Sequence, residues 1–281
     1  MNELLRQLVG WGSASVKLGR VLSRTALHCA RLNIRSGFRP DAASRAEATQ
    51  AWAREMCRTV GVCITRRGSP ISQPALYVAN HRSYIDIIAM AAQLETSYVA
   101  KASVAKWPVI GYAARLANTI FVERDDRRSR AQTRTQIARA LKAGQSVTVF
   151  AEGTTAAGPE ILPLRQGVFQ IAVEADVPVV PVAIDYPDRR DAWVGDATFV
   201  GHFLQRFSRS TVPMHITFCS PLRDRDAKWL QLATTRAIER AIARASGRHL
   251  VTLENHQHGG LEDGEVTIPD RASRTSRSVA G

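Results

Sequence analysis

Apolar residues recur along this chain with two different periods, and the change between them divides it. Residues 3–35 carry a helical period. At about 100° per residue, Leu4, Leu8, Trp11, Leu18, Leu22, Ala26 and Cys29 share an arc of roughly 80°. Arg6, Lys17, Arg20, Arg24, Arg31 and Arg35 gather on the other side within roughly 60°. The pattern predicts one long helix or a broken pair, with Gly10, Gly12 and Gly19 as points of interruption. Asp41 is placed to cap a second helix running to about Arg58. A short strand near Val60 to Thr65 follows, and Arg66-Arg67-Gly68-Ser69-Pro70 reads as a turn.

Between 74 and 220 the pattern changes to short β-branched runs alternating with helical ones. Strands are predicted at Leu76–Ala79, Ser97–Ala100, Ile120–Val122, Ser146–Phe150, Val179–Ile184 and His215–Cys219. Helices are predicted at Ser83–Gln93, Trp107–Leu116, Ser129–Ala143 and Phe169–Ala175, with a closing one over 226–246. Such alternation predicts an α/β fold, a central mostly parallel sheet flanked by helices. Pro181 inside its run points to an edge strand or a bulge. From about Glu254 the chain is polar, Gly-rich and aperiodic, which predicts a disordered tail. The expected division is 1–59, basic amphipathic helices; 60–250, an α/β domain; and 251–281, the tail.

Charge sharpens this picture. The net charge is +13 and the pI near 10.4, which predicts anionic partners. Residues 1–70 hold twelve Lys/Arg against four Asp/Glu, so the excess is concentrated at the N-terminus. A basic face opposite a Leu/Trp face suits a helix lying in an anionic membrane interface, and also an ordinary surface helix packed on its domain. No run approaches the roughly 18 apolar residues of a spanning helix, and no compact apolar leader is visible. The expectation is a monotopic or peripheral protein on the cytoplasmic face of a membrane. Cys29, Cys57, Cys63 and Cys219 lack metal-ligand spacing and read as reduced, mostly buried thiols. Nucleic acid is not expected as a partner: no zinc-finger or RNA-binding aromatic motif is present, and 6% aromatic content offers little for base stacking.

Four segments carry candidate chemistry. In YVANHRSYIDII, a buried strand gives way to a helix at His81, with Asp86 five residues on. A neutral imidazole can take a proton from a hydroxyl, and a carboxylate on its other nitrogen would fix the tautomer. The same pair also fits an unremarkable helix start. No G-x-S-x-G elbow is present and no further metal ligands cluster near His81, which leaves deprotonation of a substrate hydroxyl as the natural role. In SVTVFAEGTTAAG, a strand ends in Glu152, then Gly153, Thr154 and Thr155, a turn able to aim amides and hydroxyls at an anion. Gly153 and Gly158 imitate the frame of a nucleotide P-loop, but Pro159 and Glu160 stand where Lys and Ser/Thr are required. In NTIFVERDDRRSR, Arg124 sits at a strand end and offers a rigid fork of donors to a phosphate. VPVVPVAIDY reads as a buried strand with no chemistry of its own.

These segments, in this order, resemble the glycerophospholipid acyltransferase family typified by 1-acylglycerol-3-phosphate O-acyltransferases. Asn80, His81 and Asp86 match its N-H-x-x-x-x-D block; Phe121, Val122 and Arg124 match F-[IV]-x-R. Phe150, Glu152, Gly153 and Thr154 match part of F-P-E-G-T-R-S, and Val180 to Ile184 match V-P-V-x-I. Lys101 with the Trp107-Pro108-Val109-Ile110-Gly111 run, and Leu162-Pro163-Leu164-Arg165-Gln166-Gly167, are lesser matches.

The resemblance implies acyl transfer from a thioester of coenzyme A or acyl carrier protein to the free hydroxyl of a lysolipid, 1-acyl-sn-glycerol-3-phosphate first. His81 would be the base held by Asp86, with no metal or prosthetic group. Lys101, Arg124 and the Gly153–Thr155 turn would hold the acceptor's phosphate, and Glu152 would order that turn or bind the acceptor's polar head. Two positions depart from the pattern: Ala151 replaces the family Pro and Thr155 its Arg. Relatives that complete ornithine-containing lipids share an E-G-T-T turn, so lyso-ornithine lipid is the alternative acceptor. A non-catalytic membrane- or lipid-binding protein on the same fold is the alternative of another class.

Overall fold

The computed structural model describes residues 3–247. The predicted tail, 251–281, lies outside the described residues. The first helix, α1 (Glu3–Arg35), is continuous through its glycines. α2 (Ala42–Val60) starts as predicted, with the Asp41 carboxylate accepting from the Ser44 amide. It stops at Gly61, which is left-handed at φ +80°, and where a Cβ would strike the Ser210 carbonyl.

A seven-stranded sheet follows, built from β1 (Val62–Arg67), β2 (Leu76–Ala79), β3 (Ser97–Lys101), β4 (Ile120–Val122), β5 (Val147–Phe150), β6 (Val179–Asp185) and β7 (Val212–Phe218). Their spatial order is β1-β7-β6-β2-β5-β3-β4, and every pair is parallel except β6–β7. The connecting helices are α3 (Ile85–Gln93), α4 (Ile110–Leu116), α5 (Arg127–Lys142), α6 (Gly167–Ala175), α7 (Phe199–Phe207) and α8 (Ala227–Ala245).

Strand residues alternate between two apolar layers, as a pleated strand covered on both faces must. Tyr77, Ala79, Val180 and Val182 face a layer with Ala53, Met90 and Phe203, while Leu76, Val78, Val179 and Ala183 face one with Ile137, Phe169 and Ile238. The N-terminal helices contribute to the first layer through Ala14, Ala53 and Cys57.

Four local expectations need correction. Arg66 and Arg67 belong to β1, and the turn begins at Gly68. Pro181 lies in a central strand with no bulge. Its carbonyl accepts from the Cys219 amide on the β7 side, just where the β6–β7 ladder ends at Val182–Phe218. The donor that proline lacks would therefore fall beyond the ladder, and the strand tolerates it.

The helix α7 went unpredicted. Phe199, Phe203 and Phe207 recur at the helical spacing of four and pack in sequence, but Gly201 and the polar stretch ahead of them masked the period.

The fourth correction concerns the outer face of α1. The arc assigned to a membrane is partly inside: Cys29 is buried and Leu18 packs on the core, while the side chains of Leu4 and Leu8 lie outside the described residues. A different line is exposed. Val9, Val16, Leu27 and Ile34 fall within about 20° of one another at 100° per residue, on the side opposite buried Ala14 and Leu32. The basic arc runs between that stripe and the buried face. Lys17 in it donates to the Phe207 and Arg209 carbonyls, and Arg24 pairs with Glu55, while Arg20 and Arg31 remain exposed.

Candidate active site

Because β2, β5, β6, β3 and β4 run mutually parallel, the residues that follow them converge on one edge of the sheet. His81 follows β2, Glu152 follows β5, Tyr186 follows β6, Arg124 follows β4, and Lys101 ends β3. The residues read at the strand ends thus share one edge of the sheet.

At its centre His81 Nδ1 lies 2.8 Å from Asp86 Oδ2. The same oxygen accepts from the Arg82 amide at 2.6 Å and the Ser83 amide at 2.9 Å, and Oδ1 accepts from the Tyr186 hydroxyl at 2.6 Å. Asp86 opens α3 from a fully buried position. Its charge is met by dipoles: two amides at a helix start, a phenol and an imidazole. Burial, and then the Asp86 carboxylate, hold the Tyr186 phenol well above its usual range, so it remains a donor.

The histidine ring is fixed from three directions. It stacks on Phe150, with centroids 4.1 Å apart and planes at 22°. Its amide donates to Glu152 Oε2 at 2.6 Å, and its carbonyl accepts from the Ala156 amide at 3.0 Å. Nδ1–H pointing at Asp86 makes Nε2 the basic nitrogen. One residue back, Asn80 clasps β6 by exchanging two bonds with the Ile184 backbone, at 2.8 and 2.7 Å.

Glu152 joins two loops rather than reaching out. Oε2 takes the His81 amide and Oε1 the Leu162 amide at 2.8 Å. Burial raises its pKa, and the Leu162 and His81 amides and then Arg82 pull it back. Of the two roles expected for Glu152, the bonding matches ordering of the turn.

The rest of that turn is divided. Thr154 is exposed, whereas the Thr155 hydroxyl donates to the Trp193 carbonyl, so its proton is committed inside the protein. Gly153 adopts φ +75°, and a Cβ there would meet the Arg165 side chain at 2.6 Å. Lys101 is exposed on its strand end, and Arg124 is half-buried.

Two arginines were not recognised as part of the site. Arg82 is buried and donates to the Ala156, Pro159 and Glu160 carbonyls, which locks the 156–160 loop. Gly158, at φ +57°, lies directly on its guanidinium and leaves no room for a Cβ. The P-loop-like glycine spacing is therefore a packing requirement. Arg165, in the Leu162–Gly167 motif, lies across Gly153. Tyr186 was also missed. Only its place next to a strand end marks it in sequence.

The acyltransferase family profile matches residues 52–185, which include His81, Arg82, Asp86, Lys101, Arg124, Glu152 and Arg165 and stop just before Tyr186. The lyso-ornithine lipid O-acyltransferase of Pseudomonas aeruginosa is 32% identical over 196 residues, 67% of this chain and 75% of that one.

The chain belongs to the acyltransferase family.

A 1-acyl-sn-glycerol-3-phosphate acyltransferase of Neisseria gonorrhoeae is 34% identical to this acyltransferase over 129 residues, 46% of this chain and 51% of the relative. In fold, the acyltransferase is similar to the crystal structure of the 1-acyl-sn-glycerophosphate acyltransferase PlsC from Thermotoga maritima. The TM-score is 0.65 at 19% identity, covering 88% of this chain and 97% of that one. Among the described residues of this acyltransferase, no helix is long and apolar enough to cross a membrane, and no cluster of His, Cys, Asp and Glu could hold a metal ion.

Proposed function

We propose that this acyltransferase moves a fatty acyl group from an acyl thioester, of coenzyme A or acyl carrier protein, to the free hydroxyl of a lysolipid. The observation that carries this reading is the His81–Asp86 contact at the mouth of the strand ends, with Nε2 left as the basic nitrogen. In the reaction, Nε2 accepts the hydroxyl proton as the oxygen attacks the thioester carbonyl. Asp86 stabilises the imidazolium that forms. The tetrahedral intermediate collapses, the C–S bond breaks, and the thiolate takes the proton back from Nε2. Proton and charge balance without a covalent acyl-enzyme.

The acceptor is a lysolipid whose headgroup carries an anionic group. 1-Acyl-sn-glycerol-3-phosphate is the first reading, supported by the Neisseria relative's name and by Arg124 and Lys101 at neighbouring strand ends. Lyso-ornithine lipid is the second. It is favoured by the Pseudomonas relative, which aligns over a longer stretch, and by Thr155, which brings no cation to the turn.

The enzyme works from the surface of an anionic bilayer, on the cytoplasmic side where thioester donors are made. The exposed stripe Val9, Val16, Leu27 and Ile34, with Phe38 beyond it and Arg20 and Arg31 alongside, supports this docking. Thiol release from an acyl thioester, with each lysolipid offered separately and His81→Ala as control, tests the reading. Release that depends on an acceptor and on His81 is the expected result. No His81-dependent release with any acceptor or donor overturns it, and leaves a lipid-binding protein of the same fold.

A further inference from the structure

The turn at the end of β5 contains no cation of its own: residues 151–160 read AEGTTAAGPE. A cation nevertheless lies on it. Arg165 comes from the loop after the turn, and its Nε and Nη2 would stand 2.6 and 2.8 Å from a Cβ at Gly153. Only a glycine, in a left-handed conformation, admits the guanidinium this close to the backbone.

Its placement is built. The Arg165 amide donates to the Ala151 carbonyl at 3.0 Å, the Arg165 carbonyl accepts from the Val168 amide, and buried Leu164 anchors the residue before it. Glu152, the carboxylate beside Gly153, takes the His81 and Leu162 amides and makes no ion pair with the guanidinium. Arg124, half-buried at the end of β4, stands close enough to be repelled: burial and then Arg165 lower its pKa, with Asp125 opposing. One guanidinium, Arg165, thus lies on the residue next to Glu152, whose carboxylate holds the His81 amide, and a second, Arg124, is near enough to Arg165 to feel its charge. An anion placed between such groups would be held by charge-assisted hydrogen bonds.

We propose that Arg165, lying across Gly153, is the specificity-determining residue that binds the acceptor's anionic headgroup and so sets the hydroxyl against His81. The inference rests on the lysolipid reading above. The group it grips is a phosphate or a carboxylate, the chemistry shared by lysophosphatidic acid and lyso-ornithine lipid.

The test compares wild type, Arg165→Ala and Arg165→Lys on lysophosphatidic acid, lyso-ornithine lipid and a monoacylglycerol, which has no anionic group. Arg165 is exposed, so the variants keep their fold, which circular dichroism checks. In Arg165→Ala the KM for the anionic acceptor rises roughly tenfold to a hundredfold, the range that a charged hydrogen bond carries. The KM for the thioester stays put, and Arg165→Lys recovers part of the loss. Which acidic lipid responds identifies the source of the anion. An unmoved acceptor KM, or an equal rise with monoacylglycerol, overturns the proposal.

A second readout needs no turnover. Phenylglyoxal labelling of Arg165, followed by peptide mass spectrometry, slows in the presence of glycerol 3-phosphate or N-acetylornithine. Unchanged labelling with both probes overturns the proposal. If wild type releases no thiol with any acceptor, the proposed function fails, and the labelling alone decides this inference.

Discussion

Asp86 and Asp191 are both fully buried, and the protein holds them in opposite ways. Asp86 is surrounded by neutral donors, the Arg82 and Ser83 amides and the Tyr186 phenol, plus one imidazole. Asp191 is surrounded by permanent cations: Arg206, itself buried, donates to it from Nη2 at 2.8 Å and forms an ion pair with it through Nε, and Arg209 Nη2 lies 3.0 Å away. Burial raises the Asp191 pKa while Arg206 and then Arg209 lower it, and burial likewise lowers that of Arg206. A charge already cancelled by arginine has nothing left to offer a reaction and serves as a clamp between α7 and the loop before it. A charge held by dipoles is stable yet uncompensated, and it becomes an ion pair only when His81 gains a proton. Under the proposed mechanism, the difference separates a carboxylate able to serve catalysis from a structural one more clearly than burial does.

Substitutions can break this contrast. The largest effect belongs to the dipole-held site. His81→Ala, or Asp86→Asn, is expected to lower kcat by about 10³-fold or more, with His81→Ala keeping its unfolding midpoint, as read by thiol release and urea melts. Asp191→Asn should do the reverse. It strands Arg206 and costs on the order of 3–5 kcal/mol of stability in denaturant titrations, while the surviving folded enzyme retains its turnover. If Asp191→Asn instead lowers kcat and spares stability, the contrast collapses.

Smaller changes sharpen it. Glu152→Gln sets an amide group against one of two backbone donors, His81 or Leu162, for about 1–3 kcal/mol, and hydrogen exchange at those amides should quicken. Tyr186→Phe removes one of Asp86's donors. We expect about 1 kcal/mol of stability to go in denaturant titrations, with a fall in kcat smaller than that of Asp86→Asn.

The smallest effect is a pH slope on the Asp191 side. His202 accepts from, or donates to, the Tyr84 hydroxyl through Nδ1 and lies 3.2 Å from the Ala192 carbonyl through Nε2. Burial lowers its pKa, the Ala192 carbonyl opposes this and Arg206 adds to it. The folded pKa is then below the unfolded value of about 6.5, so the unfolded chain binds the proton first as pH falls. The stability this neutral histidine provides is complete above that value and is lost as pH falls through the folded pKa. Chemical denaturation at several pH values should show a shallower slope for His202→Gln than for wild type.

Much of this was legible because it is local. The strands announce themselves as β-branched runs, and β2 and β4 coincide with their predicted bounds. His81 and Asp86 lie one helix start apart, so their spacing alone suggests contact. The rest depends on partners far along the chain. Tyr186 reaches Asp86 across 100 residues, and Thr155 is diverted by Trp193, 38 residues on. Arg165 matters only because Gly153 leaves it room. On α1 the sequence offers two apolar lines, and periodicity cannot say which one α7 and α2 will cover. Gly10, against Ser208, marks the close approach that decides it.

The pairing of β1 with β7 has a consequence in time. Val62 lies opposite Val212, so the strand after the N-terminal helices has no sheet partner until about 150 further residues have been made. At 5–20 residues per second a ribosome needs on the order of ten seconds to supply it. Throughout that interval α1 has also to wait for α7, and both its apolar lines are open to any surface nearby. On the proposed docking, translation close to a bilayer would present the outer side of this helix to lipid before α7 and β7 complete the domain beneath it.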